Sequence, residues 1–428
     1  MKFFTDIWRS IFRGESLSTD KGKSELVFLN VWLHIHPAKV KKEHMRFKHT
    51  FYLGFITFFL FVILVTTGIA LMCYYRPSTS QAYQDMKDLQ FVVFLGPYLR
   101  AMNRWAAHGM VVCVFLHMCR VFYTGSYKRP RQFNWVVGVL LLLLTLGLSF
   151  TGYLLPWDQL AFWAITVGTN IGSYAPLVGG QLRELLLGGH SVGEGALLRF
   201  YVLHVAVLPS IVILLTIVHF WRVRKDGGLS RPIWKLKGRQ PEQELVTIGA
   251  PAQPALRATA VSTSKTYGLM EVVTGKPIFE TIAPDEEDDA VFAHPYAFFR
   301  EAIALMATVT TIMATSLFFR APLEELANPA KTPNPAKAPW YFLGLQELVS
   351  HSAFIGGVVA PALMVVALLA IPYFDRNPSR RPSDRKWAIG LFTVFVAANI
   401  ALIIVGTFFR GPGWAFVPPW VHVVTGAE

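Results

Sequence analysis

Long apolar runs separated by polar stretches dominate this chain, and this alternation predicts an all-α integral membrane protein. Seven runs are long enough to span the roughly 30 Å of hydrocarbon in a bilayer. We number these predicted spans one to seven, and they lie near residues 49–75, 101–124, 134–155, 199–222, 296–319, 354–373 and 387–408. A long polar stretch divides them into a group of four and a group of three.

Composition supports the membrane assignment. The chain has 428 residues, of which 53% are hydrophobic and only 16% are charged, against about 25% charged residues in soluble domains. The three cysteines lie inside apolar segments, and no CxxCH motif is present. The sequence therefore contains no attachment motif for a covalent c-type haem.

The net charge of +13 is explained by basic residues in the loops on one side of the membrane rather than by a nucleic-acid-binding surface. The N-terminal segment, 1–48, contains ten Lys and Arg against five Asp and Glu. Basic residues also dominate loop two–three, the segment after span four and loop six–seven, all on one side if every span crosses. The opposite loops are nearly neutral, so the positive-inside rule predicts a cytoplasmic N-terminus.

Four regions follow from this pattern. We predict a cytoplasmic N-terminal segment with a possible interfacial helix at 4–12, a four-helix domain, a polar linker with an acidic run at 285–289, and a three-helix domain. These regions comprise residues 1–48, 49–235, 236–290 and 291–428. The proline-rich part of loop five–six should be extended, and short surface helices should follow residues 156–159 and 339.

Three histidines in the apolar spans are the main candidates for chemistry. His117 lies in span two, and His204 and His219 lie in span four at positions i and i+15. A spacing of 14 or 15 residues returns to nearly the same helix face about 21–22 Å further along. Two facing helices with such pairs can hold two haem irons by axial imidazoles. Asn103 occupies the fourth expected position, at i−14 relative to His117.

Glycines and arginines extend this prediction. Spans one and three each contain a glycine pair at i and i+14, where a bulky group can approach the backbone: Gly54 and Gly68, and Gly138 and Gly152. Arg104, Arg120 and Arg224 lie at helix ends, either as partners of haem propionates or as interfacial residues. His108 is on the opposite face from His117, and we interpret it as a packing or hydrogen-bonding residue.

The runs NRWAAHGMVVCVFLHMCRVFYTGSYKRPR (103–131) and TGYLLPWDQ (151–159), together with the span-four histidines, resemble cytochrome b of the quinol-oxidising bc and bf complexes. The bf type is the more similar because of the i, i+15 histidine spacing and the division into four and three spans. Residues 296–428 resemble subunit IV of the bf complex, here fused. The resemblance is stronger over 47–222 than over 296–420.

This resemblance implies a function, cofactors and partners. The chain would be the membrane subunit of a quinol:cytochrome c (or similar acceptor) oxidoreductase in a bacterial inner membrane, contributing to the proton-motive force. Quinol oxidised on the outer side would send one electron to a Rieske iron–sulfur protein. The other would cross through two b-type haems to an inner quinone site near Arg224 and Lys225. A cytochrome c-type subunit and a second copy of the complex are the further expected partners.

The resemblance also implies the individual ligands. His117 and His219 would hold the high-potential haem on the inner side. His204 would hold the low-potential haem on the outer side, opposite Asn103, where the family has histidine. This departure leaves an unusual, missing or alternative second ligand open.

The outer quinol pocket departs from the family as well. Where the family has a PEWY-type motif, this chain reads Ala338-Pro339-Trp340-Tyr341. We expect Trp340, Tyr341 and Asp158 of the PWDQ run to form the pocket. Glu347, the nearest carboxylate, is the candidate proton acceptor, with a raised pKa in an apolar pocket. Tyr52 replaces the cysteine that anchors the covalent haem of bf complexes, so we expect none.

Two other functions fit parts of the pattern. A dihaem membrane anchor of a dehydrogenase needs fewer spans and lacks the PWDQ and PWY segments. A transporter with a histidine proton relay predicts acidic residues in the spans and no regular i, i+14 glycine spacing. A visible spectrum without a b-type haem band would leave only the transporter.

Overall fold

The computed structural model describes residues 39–226 and 290–421, and these residues form an all-α bundle with one small sheet. The predicted interfacial helix at 4–12 and the linker at 236–289 lie outside the described residues. Of the described helices, seven are long and apolar enough to cross a membrane. The all-α membrane fold predicted from the sequence is confirmed.

The main helices are α1 (Leu53–Met72), α2 (Ala82–Phe91), α3 (Gly96–Tyr123), α4 (Gln132–Leu154), α5 (Gln159–Ser173), α6 (Gly179–Leu187), α7 (Glu194–Val202), α8 (Leu208–Lys225), α9 (Ala293–Phe318), α10 (Trp340–His351), α11 (Ala360–Phe374) and α12 (Lys386–Phe408). Spans one to seven correspond to α1, α3, α4, α7 continued by α8, α9, α11 and α12. The helices α5, α6 and α10 are the short helices predicted in the loops.

Span two begins earlier than predicted, at Gly96 rather than residue 101. Pro97 suits the first helical turn, where a missing N–H is no loss. Arg100 made this turn look polar, but its side chain is buried because its guanidinium donates to the backbone carbonyls of Ala321 and Pro322. The arginine therefore joins the start of α3 to the loop after α9.

Two π turns interrupt the spanning helices, and a proline explains each. They are Leu203–Val207, between α7 and α8, and Ile355–Val359, directly before α11. Pro209 and Pro361 each lie two residues after the end of one of these turns. A proline has no N–H to donate to the carbonyl four residues earlier. The preceding residue bonds five residues back instead, as Leu208 N–H does with the Leu203 carbonyl.

The first π turn sets the histidine spacing. A π turn takes up one more residue than an α turn, and His204 lies in its first half. The i, i+15 stretch from His204 to His219 therefore covers about as many turns as an i, i+14 stretch of regular helix. This matches the i, i+14 spacing of the glycine pairs on α1 and α4.

The helices α1, α3, α4 and α8 form the four-helix bundle, with α9 packed against α1 and α3. A buried apolar core lies between them, and its buried members are Leu60, Phe61, Ile63, Ala106, Met110, Val212 and Ile312. On the C-terminal side, α10 packs on α12, and α11 packs on α4. The strands β1 (Lys39–Lys41) and β2 (Ala290–Phe292) pair antiparallel, with Val40 opposite Val291.

A buried polar cluster joins loop two–three to loop six–seven. Arg385, 2% exposed, donates to the Phe122 carbonyl at 3.2 Å and to the Tyr127 hydroxyl at 2.7 Å. The Tyr127 hydroxyl donates to Asp375, which Lys128 approaches at 3.1 Å. The four-helix and three-helix groups are thus tied together by buried charges as well as by apolar packing.

Candidate functional site

His117 and His219 face each other inside the bundle. Their ring centres are 6.5 Å apart with planes at 76°. A β-carbon added at Gly54 would lie 3.3 Å from His117 Cε1, and one added at Gly138 would lie 3.7 Å from His219 Cε1. The fold therefore brings the two predicted ligands together, and it places each imidazole against one of the predicted glycines, Gly54 or Gly138.

The separation fits two axial ligands of one metal ion. Zinc–imidazole bonds, a guide for first-row metals, are about 2.0–2.1 Å, and a ring centre lies about 1.1–1.2 Å behind the binding nitrogen, which gives about 6.2–6.6 Å between centres. Imidazole is the usual axial ligand of electron-transferring haem. The inner pair, His117 and His219, therefore fits a bis-histidine haem in both chemistry and spacing.

His204 lies against Gly152 at the other end of the bundle. A β-carbon at Gly152 would come within 2.6 Å of His204 Cε1, so only glycine fits here. The Thr151 hydroxyl lies 3.0 Å from His204 Nδ1 and has its own backbone acceptor, the Gly147 carbonyl, also at 3.0 Å. Since that carbonyl can take the one hydrogen of the hydroxyl, the Thr151 oxygen can accept a hydrogen bond from Nδ1, and this tautomer of His204 leaves the Nε2 lone pair for a metal ion.

Asn103 occupies the corresponding position on α3. Its Nδ2 donates to the Thr67 hydroxyl at 2.9 Å and to the Leu64 carbonyl at 3.2 Å. A β-carbon at Gly68 would lie 3.8 Å from Nδ2. The pair Thr67-Gly68 therefore faces Asn103 as Thr151-Gly152 faces His204. Neither threonine was predicted as a site residue, although spans one and three each contain a Thr-Gly pair that could have indicated it.

The three candidate arginines have different surroundings. Arg120 Nε donates to the His49 carbonyl at 3.0 Å, one helical turn beyond His117. Arg104 is half-buried, and its charge acts on Tyr341 and Asp158 across the outer end of the bundle. Arg224 is half-buried near the end of α8. Their roles at haem propionates stay predictions.

Trp340 and Tyr341 meet His108 on α3. The Trp340 indole donates to His108 Nδ1 at 3.0 Å, and the Tyr341 ring centre is 5.7 Å from the imidazole. Burial raises the pKa of the Tyr341 phenol to about 12, so this hydroxyl stays neutral and can donate a hydrogen bond. His108 is a hydrogen-bonding residue as predicted, and its ring packs against those of Trp340 and Tyr341.

The PWDQ run anchors the loop that leads to Trp340. The Asp158 carboxylate accepts the Ala161 N–H at the start of α5 and the Glu324 N–H. Gln159 Oε1 accepts the Asn328 N–H at 2.6 Å. Burial raises the pKa of Asp158. Both oxygens of this candidate residue therefore bind backbone groups, which positions the loop; a catalytic role stays a prediction.

Glu347 lies on a different side of α10 from Tyr341. Its carboxylate forms a two-point ion pair with Arg410, through Nε at 3.0 Å and through Nη2, and it accepts the Trp414 indole N–H at 3.1 Å. The sequence suggested a raised pKa for this carboxyl, and that expectation is wrong: the bonds from Arg410 lower the pKa. Arg410 was missed because it lies beyond α12 in the sequence, and nothing local connects the two residues.

Two family models match the chain. Residues 39–227 match "Cytochrome b/b6/petB", and residues 326–424 match "Cytochrome b(C-terminal)/b6/petD". The cytochrome b6 of Heliomicrobium gestii is 42% identical over 196 residues, which are 45% of this chain and 92% of that protein. The cytochrome b6 of Euglena gracilis is 44% identical over 181 residues, 42% of this chain and 84% of that protein.

A solved structure extends the likeness over both parts of the chain. A chain of a hyperthermophilic respiratory Complex III aligns with a TM-score of 0.65 and 26% identity, covering 84% of each chain. The alignment therefore includes both the four-helix bundle and the three-helix part. This multi-pass membrane protein belongs to the cytochrome b family, with the b/b6-type part and the C-terminal b6/petD-type part in one polypeptide.

Proposed function

We propose that this chain is the membrane subunit of a quinol:electron-acceptor oxidoreductase that divides the two electrons of quinol between two acceptors. One electron passes to a Rieske iron–sulfur protein and onward to a cytochrome c-type subunit. The other passes across the membrane to a quinone bound near Arg224 and Lys225. Moving a charge across the membrane costs about 2.3 kcal/mol per 100 mV, which the downhill electron can drive.

The observation that supports this best is the inner histidine pair. His117 and His219 would hold the high-potential haem, and His204 would hold the low-potential haem. Bound haem supplies one-electron transfer without a need for proton exchange at the metal. The protein contributes the imidazoles, the glycines that admit them, and a water-excluding apolar core.

Quinol would bind among Trp340, Tyr341 and His108. Aromatic side chains suit a flat apolar ring, and a few polar groups fix its orientation. The neutral Tyr341 hydroxyl can donate to a quinone oxygen, and the half-buried Arg104 can stabilise negative charge there. Glu347 remains the proposed proton acceptor, but the ion pair with Arg410 favours the ionised carboxylate, so the carboxylate would bind a proton more readily once Arg410 has moved away.

The proposal includes an orientation and an assembly. The N-terminus and the basic loops would face the cytoplasm of a bacterium, and the quinol pocket would face the outer side of its inner membrane. The complex would be a homodimer. The division into 1–48, 49–235, 236–290 and 291–428 would separate the cytochrome b domain from the subunit-IV-like domain.

Reduction of the purified complex by a short-chain quinol tests the proposal. When the Rieske protein is oxidised, quinol should reduce the b-type haems. When the Rieske protein has been reduced in advance, quinol in the outer pocket should no longer reduce these haems. His219→Leu should remove the inner haem spectrum. Reduction that is indifferent to the Rieske protein would refute electron division. Unchanged quinol oxidation in Glu347→Gln would refute that residue as proton acceptor.

A further inference from the structure

The donor set that fits a bis-histidine haem at the inner position does not fit one at the outer position. We propose that a haem iron held by His204 has an open coordination position on the Asn103 side and binds small neutral ligands there, such as carbon monoxide or imidazole. The inference rests on the proposed function only in that it requires haem at the outer position.

Asn103 is already engaged on α1. Both hydrogens of its amide nitrogen are used, one by the Thr67 hydroxyl and one by the Leu64 carbonyl. Thr67 in turn donates to the Ile63 carbonyl at 2.7 Å, so its oxygen is an acceptor for Asn103. The hydrogen bonds therefore hold the amide nitrogen against the backbone of α1.

The remaining atom of Asn103 is a poor ligand for haem iron. An amide nitrogen has no free lone pair, which leaves the neutral carbonyl oxygen Oδ1. Such oxygens suit Mg²⁺, Ca²⁺ and Mn²⁺, whereas imidazole suits iron. The asparagine side chain is also shorter than histidine, and its end lies nearer the backbone than Nε2 of an imidazole would.

The other histidine of α3 besides His117 cannot take its place. His108 lies five residues after Asn103, about 140° around the helix. Its Nδ1 accepts the Trp340 indole N–H, and its ring lies among Trp105, Trp340 and Tyr341. It therefore faces α10 and the outer loop rather than α1.

The surroundings of Asn103 are nevertheless those of a histidine ligand. Thr151 orients His204 through Nδ1 while Gly152 gives the ring room. Thr67 and Gly68 stand in the same relation to Asn103. A histidine at 103 could donate from Nδ1 to Thr67 and present Nε2 to the iron. The site thus differs from a bis-histidine site by one side chain. A single substitution, Asn103→His, should therefore convert it to a bis-histidine site.

Carbon monoxide tests the proposal on the purified, dithionite-reduced complex with its own haems. We expect carbon monoxide to shift the spectrum of one of the two haems, and ferric EPR to give one high-spin and one low-spin signal. Asn103→His should abolish the carbon monoxide shift and give two low-spin signals. Asn399→His, at an asparagine whose side-chain amide donates to the Phe395 carbonyl of the same helix α12, is the matched control and should leave both measurements as in the wild type.

Imidazole gives a second, independent readout. In Asn103→Gly, millimolar imidazole should convert the high-spin signal to low-spin, and washing should reverse the conversion. Two low-spin signals without carbon monoxide binding in the wild type would overturn the open position, as would one haem per chain in both wild type and Asn103→His. Neither result depends on turnover, whereas failure of the proposed function would appear as a lack of quinol-dependent haem reduction.

Discussion

Alanine in place of Gly152 offers the sharpest test of the outer site. The added β-carbon would lie 2.6 Å from His204 Cε1 and 3.1 Å from Nε2. Both atoms belong to a rigid ring that Thr151 holds through Nδ1. The ring cannot turn away without losing that hydrogen bond, so the imidazole as a whole must shift.

The size of the shift decides the outcome. Carbon atoms pack at about 3.5–4.0 Å, so the ring must retreat by about 0.9 Å or more. Ligand distances in metal sites tolerate about 0.2 Å, and the strain of overpacking costs about 1–3 kcal/mol. We therefore expect Gly152→Ala to lower haem occupancy at the outer position by about 10-fold or more.

A glycine series on the same bundle supplies the controls. The corresponding distance is 3.3 Å at Gly54, 3.7 Å at Gly138 and 3.8 Å at Gly68. Haem loss should be greatest where this distance is shortest, so Gly138→Ala and Gly68→Ala should be close to the wild type. Haem content per chain and a redox titration that separates the two haems measure the loss at each position. Equal loss of the inner haem in Gly138→Ala would refute the reasoning and show that the glycines accommodate the macrocycle rather than the imidazole.

Three further substitutions test the contacts around the bundle. Glu347→Gln should lower the melting temperature at neutral pH but match the wild type in acid. Arg410 lowers the pKa of Glu347 in the folded protein. The ion pair therefore stabilises the fold at pH values above the ordinary glutamate pKa of about 4.3, and this stabilisation is lost as the pH falls through the lower pKa of the folded state. A difference in melting temperature that stays constant from neutral pH down to strong acid would contradict this. Arg385→Ala should lower the free energy of unfolding by about 3–5 kcal/mol, because Asp375 loses a nearby cation and the Tyr127 hydroxyl loses a buried donor; denaturation in mixed micelles, with Arg385→Lys for comparison, measures it. His108→Leu should raise the KM for quinol by about 2- to 10-fold through the lost hydrogen bond, with both haem spectra unchanged; His108→Gln, which keeps an acceptor, should restore it, and steady-state assays that find no difference between Leu and Gln would exclude the effect.

Most of the membrane architecture was predictable because the bilayer imposes it. A span needs a long apolar run, and such runs are local in sequence. The early start of span two depends on Arg100, whose guanidinium donates to the carbonyls of Ala321 and Pro322, in the other half of the chain. No local pattern contains that information, so the helix was predicted to begin too late.

The site was predictable where it depends on helix periodicity and not where it depends on distant partners. Spacing alone pointed to His117, His204 and His219 and to the glycines that lie against them, and their role as haem ligands stays a prediction. The π turn before Pro209 escaped notice, although the proline that causes it stands in the sequence. The lowered pKa of Glu347 depends on Arg410 and could not be inferred from the neighbours of Glu347.

The hydrogen bonds between loops have a consequence for how often the chain crosses the membrane. Two segments can bond outside the bilayer only if an even number of crossings separates them. The bonded pairs are Arg120 with His49, Arg131 with Asp226, Asp158 with Leu326, Lys337 with Thr407, and Val40 with Val291. Two of the seven spanning helices lie between the partners of each of the first four pairs, four lie between the partners of the last, and together these intervals include all seven helices. The bonds are therefore compatible with a crossing by every helix, an arrangement that would put residues 39 and 421 on opposite sides of the membrane.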